Sequence, residues 1–201
     1  MNKSIIKDAL ILFLITIVAG FGLGAVHEIT LEPIAAANEK AQQDAYRAVF
    51  ADAASFEALE DFDAAAATEA AKASPDFADD TIDACVKALD ANGELLGYVI
   101  NASDPSSYGG NITLSLGVTL DGTVNGYSLT EINDTAGLGM KAREESYSSQ
   151  YAGKQVEAFV VTKTGAVSDE EIDAISGATI SSSAVTRAVN AALAYYRTIV
   201  E

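Results

Sequence analysis

The sequence predicts an α+β protein with one N-terminal transmembrane helix, followed by a single extracytoplasmic domain with a mainly antiparallel sheet and flanking helices. Three observations predict it. An uncharged apolar run fills residues 9–26, hydrophobicity alternates with period two through much of 82–132, and a helical period dominates the last twenty residues. At 201 residues the chain has room for one sizeable core plus something small at an end.

From Ala9 to Val26 the chain reads ALILFLITIVAGFGLGAV, eighteen residues without a charge. As a helix this run spans roughly 27 Å, close to the thickness of a bilayer core. The alternative is a cleaved secretory signal, with Lys3 and Lys7 as its basic start and Ala35-Ala36-Ala37 as a peptidase site. Those alanines lie well past the apolar run, beyond Glu28, Glu32 and Pro33, which favours a retained anchor. Lys3 and Lys7 precede the span and Glu28 and Glu32 follow it, so residues 1–8 are expected in the cytoplasm and everything after residue 27 outside.

Residues 27–81 read as a helical connector rich in alanine and acidic residues whose helices also cover one face of the domain, with helical spacings at Ala45, Val49 and Phe50 and at Phe56 and Leu59. Ala64 to Ala67 reads as helix or as a partly ordered loop. The domain proper is expected at 82–201. Ile82 to Leu89, the turn Ala91-Asn92-Gly93 and Glu94 to Asn101 form a hairpin signal, because Asn-Gly adopts the positive φ of a tight turn. A second hairpin runs from Asn111 to Leu120, turns at Asp121-Gly122 and returns from Val124 to Ile132. Val156 to Val161 reads as a further strand, and Asp169, Glu170 and Glu171 as a solvated turn with first-turn helix character. In the last helix Ser181-Ser182-Ser183 offer capping hydroxyls, and Val185, Val189, Ala192, Leu193 and Tyr196 recur at helical spacing.

Charge and composition exclude several functions. The formal net charge is −17, and because Lys3 and Lys7 against Asp8 leave the first 26 residues at +1, the remainder carries −18. Such a surface repels phosphate backbones and anionic lipid, so neither a nucleic acid nor a polybasic membrane contact is expected. Cys85 is the only cysteine, which rules out an intramolecular disulfide and any zinc or iron–sulfur site built from this chain's thiols. Redox chemistry would need a bound cofactor. His27 is the only histidine and sits at the membrane boundary, where a structural or neutral role is expected. No phosphate-binding glycine loop, dinucleotide fingerprint or hydrolase constellation is present, and neither catalytic nor metal-ligating residues are assigned.

The informative run is Asp173-Ala-Ile-Ser176-Gly177-Ala178-Thr179, just ahead of the last helix. Without further context it reads as a Ser/Gly/Thr lead into a helix. Three other segments accompany it in order: Tyr108-Gly109-Gly110-Asn111-Ile112, Asp134-Thr135-Ala136-Gly137-Leu138-Gly139, and Gln150-Tyr151-Ala152-Gly153-Lys154. Together these resemble the FMN-binding domain family shared by the G subunit of Rnf-type ion-translocating electron-transport complexes and the C subunit of sodium-pumping NADH:quinone reductases. The flavinylation pattern Asp-x-x-Ser/Thr-Gly-Ala-Thr is met at every fixed position. Two departures are small: Asp134 stands where glutamate is usual, and Ser181 where threonine is common.

The resemblance implies one FMN per chain, joined by a phosphoester to Thr179 and installed by a flavin transferase that uses FAD. Ser181 or Ser182 is a remote second choice of acceptor. Asp173, Ser176, Gly177, Ala178 and Ser181 are expected around the attachment point, and Thr135, Gly137, Leu138 and Gly139 near the isoalloxazine, while Tyr108 reads first as a tyrosine capping a strand and second as a stacking candidate. It further implies an electron relay inside a membrane-bound ion-translocating oxidoreductase of the ferredoxin/NAD type. Its partners would be iron–sulfur and flavin subunits of the same complex, with lipid around the single helix. The alternatives are a C-type subunit of a sodium-translocating quinone reductase, which the short chain disfavours, and a stand-alone membrane-anchored flavin module.

Overall fold

The computed structural model describes residues 3–72 and 79–200. It divides into two compact units, Met1–Ala41 and Gln42–Glu201. In the first, helix α1 (Lys3–Val49) contains the expected 9–26 span without interruption. Its most apolar window has a mean hydropathy of 2.6 and buries no residue within the protein, so by length and composition this helix can cross a membrane. A separate helical piece from Ile34 was expected, whereas α1 runs on through Pro33 without a break.

In the second unit a five-stranded antiparallel meander runs in the order β1-β2-β3-β4-β5. Its strands are β1 (Ser55–Ala58), β2 (Thr81–Leu89), β3 (Leu95–Ser107), β4 (Gly110–Thr119) and β5 (Val124–Ile132). Both predicted hairpins are present. At the first, Gly93 takes φ +81° and the Asp90 carboxylate accepts from the Asn92 and Glu94 amides at 2.8 Å. A parallel pair, β6 (Val160–Thr162) and β7 (Glu171–Asp173), lies apart from this sheet.

Two apolar layers cover the meander. On one face pack α2 (Ala64–Ala71) and α4 (Thr179–Val200), whose Val185, Val189, Ala192 and Leu193 are buried in one cluster with Ile100, Leu114 and Leu116. On the other, Tyr46, Val49 and Phe50 from the end of α1 pack on Ala88 and Val99. The second unit begins at Gln42, and the α1 terminus, β1 and α2, all from the stretch 27–81, contribute to the sheet and its layers.

Several local readings change for physical reasons. Phe56, read with Leu59 at helical spacing, lies in β1, where it opposes Ala88 and contacts Tyr46. Strand β3 continues beyond Asn101, because Ser103 finds partners in Asp83 and Thr113, and Asp104 finds one in Arg187. The expected strand at Val156 begins only at Val160, since the Phe159 N–H and C=O are taken by the Asn190 side chain. Asp169 and Glu170 form a turn, but β7 rather than a helix follows. The part of the expected connector at 73–78 lies outside the described residues.

Candidate functional site

The motif 173–179 connects β7 to α4, and a closed set of hydrogen bonds fixes its shape. Gly177 adopts φ +78°, a left-handed conformation that glycine takes without strain, and lets the chain turn up into the helix. The Ala178 amide donates to the Ile175 carbonyl at 2.9 Å, and the Ser182 hydroxyl accepts from the Ile175 amide at 2.9 Å and donates to the Ala178 carbonyl at 3.0 Å. The serines were expected as helix caps. They lie inside the helix instead, where Ser182 staples the motif to the helix it precedes. Thr179 is the first helical residue, partly exposed, and flanked by buried Ala178 and exposed Ile180. The amides of such a first turn lack intrahelical partners and favour an anion.

The second motif reaches the same place from the end of β5. Asp134 is buried and acts as a clasp: its carboxylate accepts from the Gly109 amide at 2.5 Å and from the Ser107 hydroxyl at 2.6 Å. The loop holding Tyr108 is thus tied to the loop holding Thr135 and Leu138. Gly139 sits where a Cβ would fall 2.5 Å from both the Asp134 carboxylate and the Ser181 hydroxyl, so its lack of a side chain is what lets these segments meet.

Between them lies a cavity of about 560 Å³, lined by Tyr108, by Asp134, Thr135, Leu138 and Gly139, and by Gly177 through Ser181. Its size is that of an ordinary cofactor site. Leu138, Ile180 and Tyr108 are exposed apolar groups at its walls, a setting suited to a flat aromatic ring system beside a hydroxyl at a helix start. Of the site residues read from the sequence, Gly137, Asp173 and Ser176 do not line this cavity. Asp173 instead accepts from the Ala166 amide at 2.8 Å and ties down the loop after β6.

The third motif supports the site from behind. Gln150 accepts from the Asp173 amide at 2.7 Å, and the Tyr151 hydroxyl, fully buried, lies 2.7 Å from that of Thr186 on α4. Burial pushes the Tyr151 phenol well up, so it stays neutral. Sequence reasoning missed the clasping role of Asp134, which it saw only as a departure from pattern, and missed Arg187 altogether. Arg187 forks onto Asp104 through Nε at 2.7 Å and Nη2 at 3.3 Å, and the two residues lie 83 positions apart, beyond any local signal.

Comparisons with known proteins show the family. The sequence model of the FMN-binding domain matches residues 107–194, and that of the RnfG N-terminal region matches residues 1–49. The G subunit of the Na⁺-translocating ferredoxin:NAD⁺ oxidoreductase complex of Acetobacterium woodii is 32% identical over 200 residues, covering 98% of this chain and 94% of that one. The corresponding subunit of the proton-translocating complex of Clostridium ljungdahlii is 37% identical over 106 residues, 53% of this chain and 56% of its own. Among solved structures, the C subunit of the Na⁺-translocating NADH-quinone reductase of Parabacteroides distasonis shares the fold, with a TM-score of 0.50 at 20% identity over 60% of this chain and 63% of that one. The chain belongs to the family of G subunits of ion-translocating ferredoxin:NAD⁺ oxidoreductase complexes.

Proposed function

We propose that this chain relays electrons in an ion-translocating ferredoxin:NAD⁺ oxidoreductase through one FMN joined to Thr179 by a phosphoester, with its domain on the outer side of the membrane. The observation that carries the reading is the convergence of three motif segments, far apart in sequence, on one cavity at the Thr179 helix start. Bound FMN supplies the reversible electron transfer; the chain supplies placement. Thr179 tethers the phosphate end, the first turn of α4 favours its charge, Leu138 and Gly139 approach the ring, and Thr135 offers it a hydroxyl.

Loading needs an outside enzyme. In the proposed step a flavin transferase deprotonates the Thr179 hydroxyl, whose oxygen attacks the phosphorus on the flavin side of FAD. One oxygen–phosphorus bond forms, the pyrophosphate bond breaks, AMP leaves, and the proton passes to the transferase. Among the residues lining the cavity none suits the role of base, since the carboxylate of Asp134 is already engaged by Gly109 and Ser107. Thr179 is accordingly a tether and takes no part in turnover. Membrane subunits with iron–sulfur or flavin centres are the proposed electron donors and acceptors.

Full-length protein made together with a flavin transferase should give a fluorescent band on a denaturing gel, and Thr179→Ala should give none. A fluorescent Thr179→Ala band would overturn the attachment. The relay role is tested apart from it: native isolation should recover the flavin-loaded chain with partner subunits, and recovery only as a lone monomer would refute the complex.

A further inference from the structure

A second, smaller cavity of about 330 Å³ is lined by Ser106, Thr179, Ile180, Ser183 and Arg187. It shares Thr179 and Ile180 with the larger cavity, so the two meet at the start of α4. Ser183 and Arg187 follow Thr179 by four and eight residues, which places all three along one side of the helix. Helical side chains lean towards the N-terminus, which brings the guanidinium back towards Thr179.

Arg187 is held in place before any ligand arrives. Its Nε and Nη2 bind the Asp104 carboxylate, Nη2 also donates to the Ser106 hydroxyl at 3.2 Å, and Asp104 is wholly buried. Burial pushes the Asp104 carboxyl up, but hydrogen bonds from Arg187, Asp80 and Ser106 outweigh it and hold the group ionised. Among the described residues Nη1 makes no hydrogen bond, and the arginine side chain keeps 31% of its surface exposed. A planar, fixed guanidinium with donors left over beside small hydroxyls is chemistry that recognises a phosphate. None of Ser106, Ser183 and Arg187 belongs to the motif that places the flavin.

We propose that Arg187, with Ser183 and Ser106, forms an anion subsite for the phosphodiester that links FMN to Thr179. The subsite rests on the Thr179 reading and deepens it. The flavin ring occupies the larger cavity, its phosphodiester turns into the smaller one, and Thr179 stands at the junction. Arg187 here is a positioning residue for the linkage.

The test uses the full chain loaded by the transferase, with loading followed by in-gel fluorescence and the product examined by phosphorus NMR. Because removing Arg187 alone would leave Asp104 buried and unpaired, the main variant is the double substitution Arg187→Gln with Asp104→Asn, its fold checked by circular dichroism. It should load about tenfold more slowly, in keeping with a lost charged hydrogen bond, and its phosphorus resonance should move away from the wild-type position. A folded double variant with an unmoved resonance overturns the subsite while leaving Thr179 in place. Should the double variant not fold, Ser183→Ala, which lies outside the ion pair, decides on the same readout. If wild-type protein gains no covalent flavin, the Thr179 reading fails and the subsite fails with it.

Discussion

Gly139 shows how little freedom single positions have at this site. Any side chain there would collide with Asp134 and Ser181, which hold two of the cavity walls. Gly139→Ala should therefore cost about 1–3 kcal/mol of stability through overpacking and reduce flavin loading, measured by urea denaturation and gel fluorescence. Unchanged stability and loading would show that these walls shift readily. The same scale separates the hydroxyls near the motif. Ser181 and Ser182 are buried and the Ser182 hydroxyl is fully engaged, whereas Thr179 is partly exposed, as the proposed attachment requires.

Asp80 makes a further prediction at this scale. Burial first, and the neighbouring Asp104 second, push its carboxyl up to about 8. The folded protein thus binds this proton more tightly than the unfolded chain, so its contribution to stability is full below the ordinary carboxylate pKa of about 4 and is lost as pH rises towards 8. Asp104, shifted the other way, loses its contribution as pH falls below that ordinary value. Urea midpoints should fall to lower denaturant concentration between pH 5 and pH 8, and Asp80→Asn should flatten the fall. An equal drop in the variant would assign the pH dependence elsewhere.

At the scale of elements, α4 organises the domain: its first turn carries Thr179, its middle fills the core, and Asn190 reaches across to hold Phe159 ahead of β6. Asn190→Ala strips partners from two backbone groups and should cost about 2 kcal/mol or more, seen as a lower melting temperature. A melting temperature equal to wild type would show that water replaces the amide. The elements that were legible in the sequence are those whose signals are local. Both hairpins carry their own turn residues, and β5 follows the predicted Val124 to Ile132 because alternation and Asp121-Gly122 agree. Those that were not legible depend on distant partners. Ser103 and Asp104 lie beyond the expected strand end at Asn101, yet stay in β3 because Asp83, Thr113 and Arg187 satisfy them. The candidate site divides the same way: short motifs single out Thr179, Leu138 and Gly139, which line one cavity, while the Arg187–Asp104 pair and the clasp of Asp134 onto Gly109 depend on strands far apart in sequence.

At the scale of the whole molecule, the chain joins a helix apolar enough to cross a membrane to a strongly acidic domain that belongs to a flavin-binding family. An acidic surface of this kind is poorly suited to lie on anionic lipid, which fits a tethered domain working against protein partners. The proposed sidedness has its own test. A reporter fused after Glu201 should be active only outside the cytoplasm, and cytoplasmic activity would reverse the orientation.

The bond at Thr179 is the central claim, and the most direct measurement is mass mapping of the full chain made with its flavin transferase. The intact protein should gain one FMN less one water, and fragmentation of the peptide spanning Asp173 to Arg187 should place that mass on Thr179 alone. Intact mass without the addition, or fragments that place it on Ser181 or Ser182, would contradict the claim.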